Sequence, residues 1–193
     1  MSTEENTMNT GTGTARATET ATLAGGCFWG VEEILRGVPG IIDTDVGYTG
    51  GWLENPTYHD THDSKSGHAE SIRVQFDPSV LSYESLLENW FFKLHDPTTL
   101  NRQGNDTGTQ YRSAIFTHTL RQKELAERYK AKIDAAQVFA KPVVTEIVPL
   151  AEFYPAEREH QSFYSTNPRQ GYCRVVIQPK LDKLQKVFAN KWK

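Results

Sequence analysis

Cysteine is scarce in this chain of 193 residues: there are two, Cys27 and Cys173, far apart in sequence. In a reducing compartment two such thiols read as reactive rather than structural. Positive charge is also short, with 21 Lys and Arg against 24 Asp and Glu for a net charge of −3. No basic cluster offsets this, so a nucleic-acid partner has no support. No apolar run approaches the roughly 18 residues that a membrane span needs. No basic-then-apolar signal pattern opens the sequence, so a cytoplasmic protein away from the membrane is expected. Residues 1–20 are rich in Thr, Glu, Asn and Gly and nearly devoid of large apolar side chains. They cannot bury enough surface to offset ordering entropy, which predicts a disordered tail over 1–20 and a single folded domain over 21–193. That length suits one substantial core. There is no internal repeat, and nothing demands a multimer, so a monomer is expected.

What the chain does have is the string Gly25-Gly26-Cys27-Phe28-Trp29-Gly30. Apolar Ala21, Leu23 and Ala24 ahead of it predict a short strand over 20–25. Behind it, Cys27, Val31, Ile34 and Leu35 share one stripe at helical spacing, which predicts a helix over 27–36 stopped by Gly37, Pro39 and Gly40. Cys27 then stands at a helix N-terminus, where unpaired amides and the helix dipole favour an anion. A thiol with an ordinary pKa of about 8.5 is expected to be lowered there. Flanking glycines let backbone and substrate come close. A free cysteine can equally be a small buried hydrophobe. Adjacent Phe28 and Trp29 weigh against that: two large rings in one turn cannot both enter the same core, so one faces solvent or a ligand.

Strands are further predicted at 41–48, 70–76, 111–117 and 143–148, with Cys173 to Ile177 extended. Helices are predicted at 82–94 and 120–137, with a short one opened by Pro155 and a terminal one carrying Leu181, Leu184, Val187 and Phe188. The 82–94 segment is the best defined. Ser82 can cap it, Tyr83, Leu86, Leu87, Trp90, Phe91 and Leu94 form one stripe, and Asp96-Pro97 ends it. Strand, helix, strand, strand, helix, strand is the order of a split βαβ. The expected class is therefore α+β, a two-layer ferredoxin-like sandwich with C-terminal extensions. A doubly wound parallel sheet is the second choice.

Glu70 shares the parity of Ile72, Val74 and Phe76, so its carboxyl is directed toward the apolar face. Buried without a cation, such a carboxyl stays protonated near neutrality and can act as a general acid. A strand-end Glu can instead curl back to solvent. The polar stretch 95–111 is long enough to be functional, although Asp106 beside Asn105 and Gly108 also suits turn chemistry. Tyr58, after Asn55-Pro56, is either a lid over apolar residues or a hydroxyl donor to a substrate oxygen. His59, Asp60, His62, Asp63 and His68 match no strong zinc spacing and read as solvated loop polarity, so no metal site is expected. His160 reads as a helix-surface or packing residue.

Taken together, these strings resemble the peptide methionine sulfoxide reductase A family over about residues 20–178. The resemblance is carried by residues 25–30, by Val46-Gly47-Tyr48-Thr49-Gly50-Gly51, by Gly67-His68-Ala69-Glu70, and by Arg102-Gln103-Gly104-Asn105-Asp106 through Gly108-Thr109-Gln110-Tyr111-Arg112-Ser113. Tyr154-Pro155-Ala156-Glu157 and His160-Gln161 continue in order. The resemblance implies thiol-dependent reduction of the S epimer of methionine sulfoxide, free or in proteins, with no cofactor. Cys27 would be the nucleophile, and Phe28 and Trp29 the apolar pocket for the S-methyl group. Tyr58, Glu70 and Tyr111 would hydrogen-bond the sulfoxide oxygen, with Glu70 as proton donor, while Asp106 would hold a water or order the site. Cys173 would resolve the Cys27 sulfenic acid as a Cys27–Cys173 disulfide, recycled by a thioredoxin-like dithiol or by dithiothreitol. One proton shared between Cys27 and Glu70, with coupled titration, is expected.

Two features depart from the family pattern. His62 stands where many relatives have a cysteine, and Cys173 is followed by Arg174-Val175-Val176-Ile177-Gln178-Pro179 in place of a glycine-rich tail with a second resolving cysteine. Two other functions stay open on the residues alone. One is a thiol hydrolase or acyl transferase with His68 or His160 as base; the other is a redox-sensing or thiol–metal module without turnover.

Overall fold

The structure, a computed structural model, describes residues 17–189 and 191. The tail expected over 1–20 thus falls, up to residue 16, outside the described residues, and Glu19 and Thr20 already belong to the first strand. The strands are β1 (Glu19–Gly25), β2 (Ile41–Thr49), β3 (Ala69–Phe76), β4 (Arg102–Gln103), β5 (Asp106–Thr107), β6 (Ser113–Thr117), β7 (Glu146–Pro149) and β8 (Tyr154–Pro155). Six of them form one sheet in the order β7-β6-β1-β3-β2-β8, and β4 and β5 pair as a separate hairpin. Only β6–β7 is parallel in the large sheet; the other neighbours are antiparallel. A doubly wound parallel sheet is therefore excluded, and the protein is a mixed α/β fold on a mostly antiparallel sheet.

The helices are α1 (Phe28–Arg36), α2 (Tyr58–His62), α3 (Tyr83–Ser85), α4 (Phe92–Leu94), α5 (Leu120–Ala135), α6 (Phe163–Thr166) and α7 (Gln178–Val187). A π-helical stretch, Leu86–Phe91, joins α3 to α4 into one continuous element. Its start is as the sequence predicts, with Ser82 Oγ accepting Ser85 N–H at 3.1 Å, and every residue of its apolar stripe is buried. One cluster gathers Leu23 of β1, Ile72, Val74 and Phe76 of β3, Ile34 and Leu35 of α1, Leu86 and Phe91, and Leu184 of α7. The other sheet face is thinner, with Ala24, Ala69, Ala114 and Phe116 packed together.

Three predicted elements differ. Cys173–Ile177 is not extended but a π-helical turn running into α7. The β-branched Val175 and Val176 suggested a strand, yet both are solvent-facing while Cys173 and Ile177, four apart, are buried on one helical face. Pro155 opens no helix. It sits in β8 at the sheet edge, where a missing N–H costs no ladder bond, and a short 3-10 turn, Arg158–His160, follows. The strand predicted at 143–148 begins only at Glu146, because Val143 N–H is taken by Asp134 and Val144 N–H by Pro97 O.

Gly51, just past β2, marks the tightest joint beside the site. A Cβ there would lie 2.3 Å from both His68 N and Ser66 O, and neither backbone atom can swing aside. Gly51→Ala is expected to cost about 1–3 kcal/mol, as overpacking does, read as a lower urea midpoint at unchanged slope.

Candidate active site

The sheet delivers β1 to the site at Gly25. Gly26 then turns with φ +97°, and a Cβ on it would meet Gln103 Cγ at 2.7 Å, so only glycine lets the β4–β5 hairpin abut this turn. Cys27 is the N-cap of α1 and half-buried, and the Trp29 and Gly30 amides at the start of the helix favour charge on its sulfur. The next amide, of Phe28, donates to Glu70 Oε2 at 3.0 Å. Thiol and carboxyl are thus bound to successive residues at one helix start. Glu70 lies on the buried face its parity predicts, 2% exposed, with no curl back to solvent.

The electrostatics correct one expectation. Burial pushes Glu70 up to about 8 against the pull of Phe28 N–H, with the negative charge of Asp106 adding to the rise. Cys27 is not lowered: burial drives its thiol well above the ordinary range, and Glu70 and Asp106 add to this. The Trp29 and Gly30 amides oppose the rise, as a helix N-terminus should, but two dipoles do not outweigh desolvation and two carboxylates. At neutral pH both members of the pair carry protons.

Three hydroxyls surround it. Tyr58 opens α2, whose start is fixed by a capping box between Thr57 and Asp60. Its N–H donates to Glu157 Oε1 at 2.7 Å, while Glu157 Oε2 accepts Tyr48 O–H at 2.7 Å. Tyr111 closes a 3-10 turn, Thr109–Tyr111, after β5. Burial, then Glu70, hold both the Tyr58 and Tyr111 hydroxyls protonated far above neutrality, with Cys27 and Asp106 also contributing. Tyr172 donates its hydroxyl to Asp106, and Cys27 and Asp106 both help to hold that hydroxyl protonated. Asp106 is therefore no mere turn residue; it faces Cys27, Glu70 and Tyr172 from β5.

The aromatic pair divides as its adjacency requires. Phe28 is 1% exposed and belongs to the core, whereas Trp29 is half-buried. The Trp29 ring lies 3.8 Å from the Phe163 ring, near parallel, and its Nε1–H donates to His160 Nδ1 at 3.2 Å. His160 is buried and stacked on Tyr58 at 4.2 Å, a packing residue and not a surface one, and it ties Trp29 to Tyr58. His68 is buried, with Nδ1 accepting Gly51 N–H and Nε2 donating to Leu53 O, which spends both ring nitrogens on backbone. His59 faces Asp63 at the surface, and among the described residues no group of three or more His, Cys, Asp or Glu could hold a metal.

Seven of the predicted residues thus converge: Cys27, Phe28, Trp29, Tyr58, Glu70, Asp106 and Tyr111. Cys173 is placed differently. It is wholly buried in the apolar core one residue beyond Tyr172, its N–H donates to Gln170 Oε1 at 3.1 Å, and both cysteines are free thiols. Sequence reasoning gave no role to Tyr172 or Glu157, and it read His160 only as packing or as a base of the alternative hydrolase. All three lay inside the strings that carry the resemblance or beside Cys173, but nothing local distinguishes a hydroxyl or carboxylate that acts across 66 or 99 residues.

A profile of the family described as peptide methionine sulfoxide reductase matches residues 19–192. The peptide methionine sulfoxide reductase MsrA of Deinococcus radiodurans is 45% identical over 187 residues, covering 97% of this chain and 90% of its own length. The chain belongs to the peptide methionine sulfoxide reductase A family. Among solved structures of similar proteins, reduced Mxr1 from Saccharomyces cerevisiae has a TM-score of 0.75 at 34% identity, covering 81% of this chain and 89% of its own. Mxr1 in complex with Trx2 also matches, with a TM-score of 0.53 at 27% identity over 76% of this chain and 84% of its own. Within this fold, the helix-start thiol and the buried carboxyl on the neighbouring strand lie together, joined through the Phe28 amide.

Proposed function

We propose that this protein reduces the S epimer of methionine sulfoxide, free or in proteins, to methionine, with Cys27 as nucleophile and Glu70 as acid. The observation that carries this is a carboxyl pushed up to about 8 and held by the Phe28 amide directly next to the Cys27 thiol. A sulfoxide sulfur is a poor electrophile and its oxygen a poor leaving group. A proton delivered to oxygen as sulfur is attacked answers both difficulties.

Glu70 gives its proton to the sulfoxide oxygen, which Tyr58 and Tyr111 hold as donors, while the Cys27 sulfur attacks. The proton lost by Cys27 restores Glu70. The bond from methionine sulfur to oxygen breaks and one from Cys27 sulfur to that oxygen forms, leaving methionine and a Cys27 sulfenic acid. Phe28 and Trp29 offer the apolar surface for the S-methyl group, and Asp106 with Tyr172 orders the far side of Cys27. Cys173 then displaces the sulfenic hydroxyl, giving a Cys27–Cys173 disulfide and water. A thioredoxin-like dithiol reduces that disulfide and is itself oxidised. The yeast relative in complex with Trx2 supports this partner class. No metal or cofactor enters the scheme.

We further read the four strands β6-β1-β3-β2 as a ferredoxin-like split βαβ core, since β3 lies between β1 and β2, which α1 connects. The chain from β1 onward, starting at Glu19 and not at residue 21, is taken as one catalytic domain behind an N-terminal tail, in a monomeric cytoplasmic protein. Both histidines proposed as hydrolase bases are engaged elsewhere, which favours the reductase reading.

The decisive assay supplies each epimer of methionine sulfoxide separately with dithiothreitol. Consumption of the S form alone is expected. Turnover of neither epimer defeats the proposal, and equal turnover of both removes its stereochemical half.

A further inference from the structure

A cavity of about 390 Å³ opens beside Cys27, between the β4–β5 hairpin and the turn that leads into α7. Cys27, Asp106, Tyr172, Ile177 and Lys180 are on its walls. Lys180 is the one cation among the described residues that line it. Its backbone is fixed by the preceding π-helical turn, where Ile177 packs on Gly30 of α1, a position at which a Cβ would stand 3.5 Å from Ile177 Cγ1. The side chain is half-buried; Asp106 acts on its ammonium, and Cys27 does so once its sulfur loses a proton.

The surroundings of the Cys27 sulfur explain why a cation matters. Glu70 faces it from β3 and Asp106 from β5, with Tyr58, Tyr111 and Tyr172 as neutral hydroxyls and the Trp29 and Gly30 amides as dipoles. Burial, then the charge of Lys180, holds the buried His95 down to about 3, so its imidazole is neutral at pH 7. Without Lys180, a sulfur turning anionic meets only carboxylates and dipoles. Burial draws Lys180 down to about 8, with an ionised Cys27 and Asp106 pulling the other way, which leaves it cationic at neutral pH.

We propose that Lys180 is a positioning residue for the reaction, its ammonium supplying the counter-charge across the cavity as the Cys27 sulfur becomes a thiolate. The proposal rests on Cys27 as nucleophile but not on which substrate it attacks. The sequence hides this role, because a lysine opening a terminal helix, seven residues past Cys173, reads as ordinary surface charge.

The test is the pH dependence of Cys27 alkylation by iodoacetamide, followed by mass spectrometry in the full chain with Cys173→Ser as background. Lys180→Met is expected to slow alkylation about tenfold at neutral pH and to displace the profile upward by about one pH unit. Lys180→Arg, which keeps the charge, is expected to retain the parent profile. If Lys180→Met fails to fold by circular dichroism, Lys180→Gln keeps a polar side chain and the same displacement is expected. A profile superimposable on the parent, or one displaced equally by arginine, overturns the proposal. Because alkylation needs no sulfoxide, a displaced profile in a chain that turns over neither epimer rejects the reductase reading while leaving Lys180 in its role.

Discussion

Glu70→Gln is expected to lower kcat/KM for methionine sulfoxide by about 10²–10⁴-fold at neutral pH, the range associated with a positioned general acid. The substitution isolates the proton. Glutamine keeps the shape of the side chain and an oxygen that can accept Phe28 N–H, the 3.0 Å bond that ties carboxyl to helix start. What disappears is an acid held at about 8 by burial. The parent enzyme should therefore lose activity as pH rises through about 8 and Glu70 ionises beside Cys27, and the variant should lack that limb.

Stability supplies an independent readout with a definite sign. An acid raised on folding binds more protons in the native state than in the unfolded chain between its two pKa values. Folding stability from this group is thus fully present below the unfolded value near 4.5 and lost as pH climbs through about 8. Glu70→Gln should flatten that decline, so the variant gains on the parent in urea midpoint at alkaline pH. A variant with parental kcat/KM and an unchanged pH profile would remove Glu70 as the proton donor, whatever its effect on stability.

The distance between what sequence patterns reveal and what they hide is visible in single residues. Strand parity placed Glu70 correctly because alternation in β3 is set by the same burial that perturbs its carboxyl. Helical spacing placed Cys27 at a helix start for a similarly local reason. Its electrostatics were not legible: the amides that favour a thiolate are local, but the carboxylates that oppose it arrive from β3 and β5. The 173–177 turn was misread because two β-branched residues stand in series, whereas burial falls on the residues four apart at its ends. Long-range partners were the least accessible. Glu157 reaches Tyr58 and Tyr48 only because the edge strand β8 pairs with β2, and Gln161 extends that attachment by bonding both Val46 N and Val46 O. The family strings contained Glu157 and Gln161 but assigned them no role, because their partners are brought to them only by the fold.

Cys173→Ser should spare the first turnover and abolish thioredoxin-driven cycling, and the structure makes this a conformational prediction as well as a chemical one. Serine has no thiol with which to displace the sulfenic hydroxyl, so Cys27 should accumulate one oxygen after one equivalent of methionine is released, detectable as a trapped adduct by mass spectrometry. In the parent, Cys173 is wholly buried and begins a π-helical turn, a form of helix that is rare and found chiefly at functional sites. Opening of the 173–177 turn, with a shift of the start of α7, is the expected route by which this buried sulfur reaches Cys27. Oxidation of the parent by one equivalent of sulfoxide should therefore lower hydrogen-exchange protection over 173–187, while Cys173→Ser, stalled at the sulfenic acid, should keep it. A buried serine hydroxyl without a partner costs about 1–3 kcal/mol, so folding is checked first by circular dichroism. Normal thioredoxin-supported turnover by this variant would show that another route resolves Cys27, and unchanged protection in the oxidised parent would show that the turn does not open to let Cys173 in.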